Sequence, residues 1–472
     1  MLIMTPFRST CLLLLAACCG CETVKLARYA QSEKDRLAGE TTVTAAAAGL
    51  KAGATYALSD LESIALIYHP ALLQARQEVE AARLRCRMTH SGRLPQVGVG
   101  ASYSRSTQNS EGRSSSTEMR GSRSGSIDFD LLLCDFGRLD AEERQALEAL
   151  IAAEEQLRTT ELETVYSVRA AFFELHRNVE LYNVARETQK QYAEHLEEAR
   201  VMVQVGTRRQ YDATKAEVDW GNAALDVITV SNAIVTTRAQ LNRAIGLAEF
   251  PSYAISDDVM PPRPEPEISE LMDLARDKNP SLAVLRARKR AASSYVDQTI
   301  AELYPDLSLG SSLDLSGRDF PVIWNFSWAL RLAQDLFTGF RKTDRINEAV
   351  SQLRIARSRE ADAEQVLYLD LINALAQYKS ARKRLEISQM VERQATENRD
   401  IVNEQYRVGV SSSIERTDAQ VAVTQAQADV VRARYDEQAS RAVIARLTGE
   451  PRADAPRPPD APAQQVPVKG NP

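Results

Sequence analysis

The sequence predicts a mainly α-helical protein with a smaller, membrane-type β part, arranged as two internal repeats. Three observations carry this. Two stretches lack both Gly and Pro, 68 residues from Arg138 to Val205 and 69 from Phe340 to Val408. The chain also aligns with itself. His69-Pro70 matches Asn279-Pro280 and Leu94-Pro95 matches Tyr304-Pro305 at an offset of 210. Leu133–Arg138 then matches Leu336–Arg341 at an offset of 203, which holds without a gap through Gly206/Gly409 to Gly246/Gly449. Finally, short segments between the helical stretches alternate apolar and polar residues with period two.

The N-terminus reads as an export signal. One basic residue, Arg8, precedes the apolar run from Cys11 to Ala17. That run is too short to span a bilayer as a helix. Leu15-Ala16-Ala17-Cys18 fits the pattern in which a bacterial signal is cut before a Cys that then carries lipid. An ordinary signal cleaved at small residues is the alternative. Residues 1–17 are therefore assigned to the signal and Cys18 to lipidation. Cys19, not Asp, follows, so no Asp-type inner-membrane retention signal is present. Residues 18–57 are polar and Ala-rich and read as a spacer behind the anchor.

The first repeat, residues 58–250, opens with a helix of about 35 residues from Leu58 to Arg93, and Ser59 precedes its acidic first turn. Two strands follow. Val97, Val99, Ala101 and Tyr103 alternate with Gly98, Gly100, Ser102 and Ser104, and Ile127, Phe129 and Leu131 alternate with Ser126, Asp128 and Asp130. The Ser-rich stretch between them absorbs the seven-residue change of offset and reads as an exposed loop. The second repeat, residues 268–450, has its helix from Ile268 to Leu303, started near Ser269. A strand bearing Leu307, Leu309 and Leu313 comes next, and then one with Trp324, Phe326, Trp328, Leu330 and Leu332 on one face. Strands of roughly 9–11 residues with an aromatic-rich face opposite a small or charged one suit a bilayer on one side and water on the other.

A 68- or 69-residue helix is a rod of ~100 Å. Each rod ends at a Val-Gly turn, Gly206 or Gly409, and a return helix of about 35 residues runs to Gly246 or Gly449. The two shorter helices of each half match the rod in length, so they are expected to stack end to end beside it. The return helices carry a heptad stripe of mostly small residues, Ala216, Ala223, Val230, Thr237 and Ala244, mirrored by Ala419, Ala426, Ala433, Ser440 and Leu447. Such a stripe permits close, coiled-coil packing. Pro-rich segments at 251–267 and 451–472 read as a linker and a disordered tail.

Four strands cannot close a barrel, and open strand edges are not tolerated in lipid. The chain must therefore oligomerise, and geometry alone permits two, three or four copies. Several functions are excluded. The net charge of −6 gives no basis for nucleic-acid binding. The four histidines are scattered, and only Cys86 and Cys134 lie in the body of the chain, so neither a metal site nor a disulfide framework is expected. Asp135-Phe136-Gly137 lacks the other kinase motifs, and Gly98-x-Gly100 lacks a third Gly. No enzyme activity and no cofactor are expected.

The motifs HPALLQARQEVEAA and NPSLAVLRARKRAA, CDFGR and FTGFR, the two Val-Gly turns, and LNRAIG with IARLTG resemble the outer-membrane efflux protein family, the TolC type of channel-tunnel. Together they span residues 58 to 450. The resemblance implies a homotrimer, with a twelve-stranded outer-membrane β-barrel continued by a twelve-helix periplasmic α-barrel. It implies a passive duct for efflux or type I secretion, anchored by lipid at Cys18. The tips, at Gly206 and Gly409, would dock a periplasmic adaptor protein, and an inner-membrane transporter of RND or ABC type would supply the energy.

The resemblance also assigns roles at the tips. An acidic pair at the sixth and ninth positions after the second turn Gly lines the periplasmic mouth, which gives Glu415 and Asp418. Threefold repetition makes rings of six carboxylates that attract cations; solvated helix-start acids are the alternative. Asp212 matches an acid latched to a Tyr at the position of Tyr406. Ser411 stands where such members carry a basic latch residue, leaving Arg208 and Arg209 as local substitutes. The rival to a duct is a lipid-anchored periplasmic coiled-coil spacer whose β segments never insert.

Overall fold

The computed structural model describes residues 25–37, 49–51, 53–107, 119–249, 251, 253–256, 266–317 and 322–450. The signal, Cys18, most of the Ser-rich loop and the C-terminal tail lie outside these residues. A helix α1 covers residues 25–37. Then come β1 (Thr55–Tyr56), α2 (Leu58–Tyr68), α3 (Pro70–His90), β2 (Gln96–Thr107), β3 (Met119–Cys134), α4 (Arg138–Gln204) and α5 (Gln210–Ile245). The rest is β4 (Ala254–Ile255), α6 (Ile268–Lys278), α7 (Pro280–Ala301), β5 (Asp306–Gly317), β6 (Ile323–Ala333), α8 (Arg341–Arg407) and α9 (Ser413–Thr448).

Two antiparallel hairpins join through β3 and β5 into a sheet ordered β2-β3-β5-β6. Register sorts the faces. Val97 opposes Phe129, Val99 opposes Ile127, Ile127 opposes Leu313, and Leu313 opposes Phe326, which builds one apolar surface. Gly98, Asp128, Ser312 and Ser327 line up across the other face. On the edge strands the apolar row is exposed, with Val99 80%, Trp328 70% and Leu332 68% accessible, while Ile127, Phe129 and Leu313 on the central strands are half-buried. β3 has 16 residues rather than the 9–11 predicted, because its Ser- and Gly-rich start continues pairing with β2 beyond the apolar band. β2 and β6 are edge strands in the chain.

Both long helices have 67 residues and both return helices 36. Along one part of its length α4 packs against α3 and α7, and along the other against α5 and α9, while α8 packs against α7 and α9. The small-residue stripe does the packing: Ala419, Ala426, Ala433, Ser440 and Leu447 are all buried, as are Ala216, Ala223 and Thr237. The shorter helices do meet end to end. A Cβ added at Gly246 would lie 2.8 Å from the His69 Cα, and one at Gly449 would lie 2.4 Å from the Lys278 carbonyl oxygen. Asn279 locks the second joint by donating to the Leu447 carbonyl at 2.8 Å.

The single 35-residue helices expected from Leu58 and Ile268 are each broken in two. Pro70 and Pro280 supply the break, since each forces the preceding residue out of the α region. His69 and Asn279 have ψ of 126° and 114° and cap the next helix with their side chains, to Ala71 N and to Ser281 and Leu282 N respectively. Nor do Ser59 and Ser269 act as caps. Asp60 accepts from Ala57 N at 3.1 Å, and Ser269 bonds to Glu267.

Parts of the segments read as spacer and linker are ordered against the helices. β1, within the former, pairs in parallel with β4, within the latter. Leu50 and Tyr253 from these segments are buried with Leu58, Leu61, Phe172, Phe173 and Ile245. Leu50, Tyr56, Tyr253 and Ile255 thus pack the described parts of both segments against α2, α4 and α5. There, Arg169 donates to Glu62 at 2.7 Å with both side chains largely buried, tying α2 to α4.

Candidate functional site at the helix tips

The far ends of α4 and α8 turn on residues with positive φ, Gly206 and Gly409, each at 81°. Nothing lies within 4 Å of a Cβ added at either, so the left-handed backbone, not space, requires glycine. In each turn an amide two residues past the helix cap reaches back: Thr207 N donates to Met202 O at 3.0 Å and Val410 N to Gln405 O at 2.9 Å. This satisfies carbonyls that the helix end leaves open.

The two tips are bonded side by side. Ser413 donates to Asp212 at 2.7 Å, Thr417 to Asp219 at 3.3 Å, and Arg416 to Glu198 at 2.7 Å. Lys215 pairs with Asp219 at 2.9 Å. Tyr406 is 1% exposed at the centre. The guanidinium carbons of Arg208 and Arg416 lie 4.6 and 4.8 Å from its ring centroid, and the His195 ring stands perpendicular at 5.9 Å.

The structure brings some of the residues inferred for a latch together and not others. Arg208 reaches Tyr406, but by its ring face. Asp212 does not bond to Tyr406: Ser413 takes that carboxylate, and the Tyr406 hydroxyl has no partner among the described residues. Arg209 stands exposed at the start of α5. Ser411 is buried and donates to Gln405 at 3.0 Å, so the turn closes without a basic side chain there. Glu415 and Asp418 are exposed one turn apart on α9. Glu415 also completes a capping box, accepting from Ser412 N at 2.8 Å while Ser412 accepts from its amide.

Burial acts on two ionisable groups here. It holds the His195 imidazole down at about 4, helped by the nearby Arg416 charge, and pushes the Tyr192 hydroxyl up to about 12. His195, Ser413 and Arg416 escaped the sequence reading. For His195 and Arg416 a usable signal existed: at the 203-residue offset they face Asn398 and Ala213, positions where the two halves differ in charge or polarity.

Among the described residues no helix is long and apolar enough to cross a membrane, and no cluster of His, Cys, Asp or Glu suits a metal. Residues 61–247 and 271–450 match the model of the family described as outer membrane efflux protein. The toluene efflux pump outer membrane protein TtgC of Pseudomonas putida is 22% identical over 414 residues, covering 83% of each chain. The outer membrane protein OprJ of Pseudomonas aeruginosa is 22% identical over 382 residues, covering 77% of this chain and 78% of its own. The fold is similar to that of the outer membrane protein VceC from Vibrio cholerae, with a TM-score of 0.72 and 17% identity over 83% of this chain and 96% of that one. The CmeC outer membrane channel of Campylobacter jejuni gives 0.74 and 17% over 83% and 85%. With both halves matched, from the strands through the helix tips, the chain belongs to the outer membrane efflux protein family.

Proposed function

We propose that the protein is the passive outer-membrane duct of a tripartite efflux or type I secretion system. In this reading it is a homotrimer with a twelve-stranded barrel and a twelve-helix periplasmic tunnel, built from two repeats per chain. The observation that carries it is the pair of open edges running the full length of the chain. At one end, among the described residues, β2 and β6 lack outer partners, while their apolar face is exposed. Below them, Ile355, Val366, Leu369 and Met390 form an exposed stripe on α8, and Val218, Leu225, Ile228 and Val235 form one on α5. Both edges are covered if each copy joins its α8 and β6 to the next copy's α3, α5 and β2. Three copies of four strands make twelve, and the equal lengths of α4 with α8 and α5 with α9 support the repeat.

The tips face the inner membrane in this reading. Gly206 and Gly409 mark the surface for a periplasmic adaptor protein, and an RND or ABC transporter behind it does the work. Glu415 and Asp418 supply the acidic rings of the mouth; their exposure on one face of α9 supports this. Cys18 carries the lipid. The alternative, a lipid-anchored spacer, differs in what holds it to the membrane. After Cys18→Ser, the duct is expected to remain in the outer-membrane fraction through its barrel; release into the periplasm would rule out an inserted barrel.

A further inference from the structure

Between α4, α8 and α9, close to the tip turns, lies a cleft of about 510 Å³ lined in part by Gln191, His195, Asn403 and Arg416. His195 is 7% exposed, and its Nδ1 has no hydrogen-bond partner among the described residues. The same holds for Gln191 Oε1 and for the hydroxyl of the adjoining Tyr406. Gln191 and His195 line the cleft itself, and Tyr406 packs edge-on against the His195 ring.

Burial and the Arg416 charge disfavour a proton on His195, and Glu198 and Asp219, which favour it, do not outweigh them. On α4, Glu198 is committed to Arg416 of α9 at 2.7 Å, and Glu194 stands exposed to solvent. On α5, Asp219 is held by Lys215 at 2.9 Å. On α8, Asp400 accepts from Arg399 at 2.7 Å, and Arg407 pairs with Glu404 at 3.3 Å. Tyr192 is neutral. Tyr406, which His195 touches, already carries the guanidinium groups of Arg208 and Arg416 against its ring.

We propose that His195 makes the closed mouth acid-labile: its protonation sets a third cation beside the clasped Tyr406 and parts the α8–α9 tip from α4. This rests on the duct reading, in which the tips form the mouth. The direction follows from linkage. In the closed tip the imidazole is held at about 4, whereas in an opened, hydrated cleft it returns toward 6.5. The opened form therefore binds the proton more readily. Closure is complete above 6.5 and weakens as the pH falls through 6.5 toward 4. That difference corresponds to a shift toward the open tip of about 30-fold at pH ~5.

The test compares the purified full chain with His195→Gln by hydrogen exchange of peptides spanning 191–204 and 399–412, at matched pH from 7 to 5. Carboxylates that titrate in this window are common to both proteins and cancel. At pH 7 the two are expected to be equally protected. In acid the wild type is expected to lose protection about 30-fold more than the variant. His195→Leu, a second uncharged replacement, is expected to behave like His195→Gln. Identical profiles for wild type and both variants, or a wild-type tip that tightens in acid, would overturn the proposal. Bilayer conductance separates the two readings. A protein that conducts at no pH but shows the exchange difference refutes the duct and leaves the switch, whereas conductance without that difference refutes the switch alone.

Discussion

Tyr406 joins the two tips without a hydrogen bond. A buried aromatic ring contacted by two guanidinium groups gains a few kcal/mol from cation–π attraction and burial, about 1–2 per contact when desolvated. The hydroxyl adds nothing, since it has no partner. The acids near it divide the remaining tasks. Asp212 bonds across to Ser413, so it ties the two hairpins together. Glu415 caps its own helix, yet one of its carboxylate oxygens is enough for that, and the charge remains exposed. A capping role and a ring role are therefore compatible. If the ring reading holds, replacing Glu415 and Asp418 together by Ala is expected to weaken block of the channel by multivalent cations at least ~10-fold, because six carboxylates of the mouth lose their field. Unchanged block would leave Glu415 as a cap and nothing more. The Asp212 position was legible from the turn spacing. Its partner was not, because Ser413 lies 201 residues away and no periodicity links the two.

Element boundaries divide in the same way. The rods, the strands and the small-residue stripe follow from Gly and Pro placement and from periods that a reader can count. The breaks at Pro70 and Pro280 were written in the sequence too, but helical periodicity continues across them. What makes each break a joint is the glycine arriving from elsewhere in the chain, Gly246 beside His69 and Gly449 beside Lys278. The linker illustrates the opposite limit, since Pro-rich composition masks the few apolar residues, Tyr253 among them, that dock it. The joints give an element-scale test. Gly409→Ala meets open space and carries only the left-handed backbone penalty, about 1 kcal/mol. Gly449→Ala meets the same penalty plus backbone atoms at 2.4 Å, so it is expected to cost at least about 2 kcal/mol more. Thermal denaturation of the two variants in detergent compares them directly, and equal melting temperatures would mean that the joint yields without strain.

At the scale of the whole molecule, one physical requirement governs the rest. A four-stranded sheet with an exposed apolar face and two open edges is not a stable object in water or in lipid. The helices below repeat the problem, with apolar stripes on α5 and α8 left uncovered by the chain itself. A single kind of assembly, side by side around an axis, resolves both. In the proposed duct each copy would add two hairpins to one tube, which accounts for the two Val-Gly turns per chain. The most direct measurement is single-channel recording on the purified protein in planar bilayers, alongside its mass in detergent. The account requires a trimer that migrates differently before and after heating and gives discrete conductance steps. A monomer that leaves the bilayer silent would contradict it.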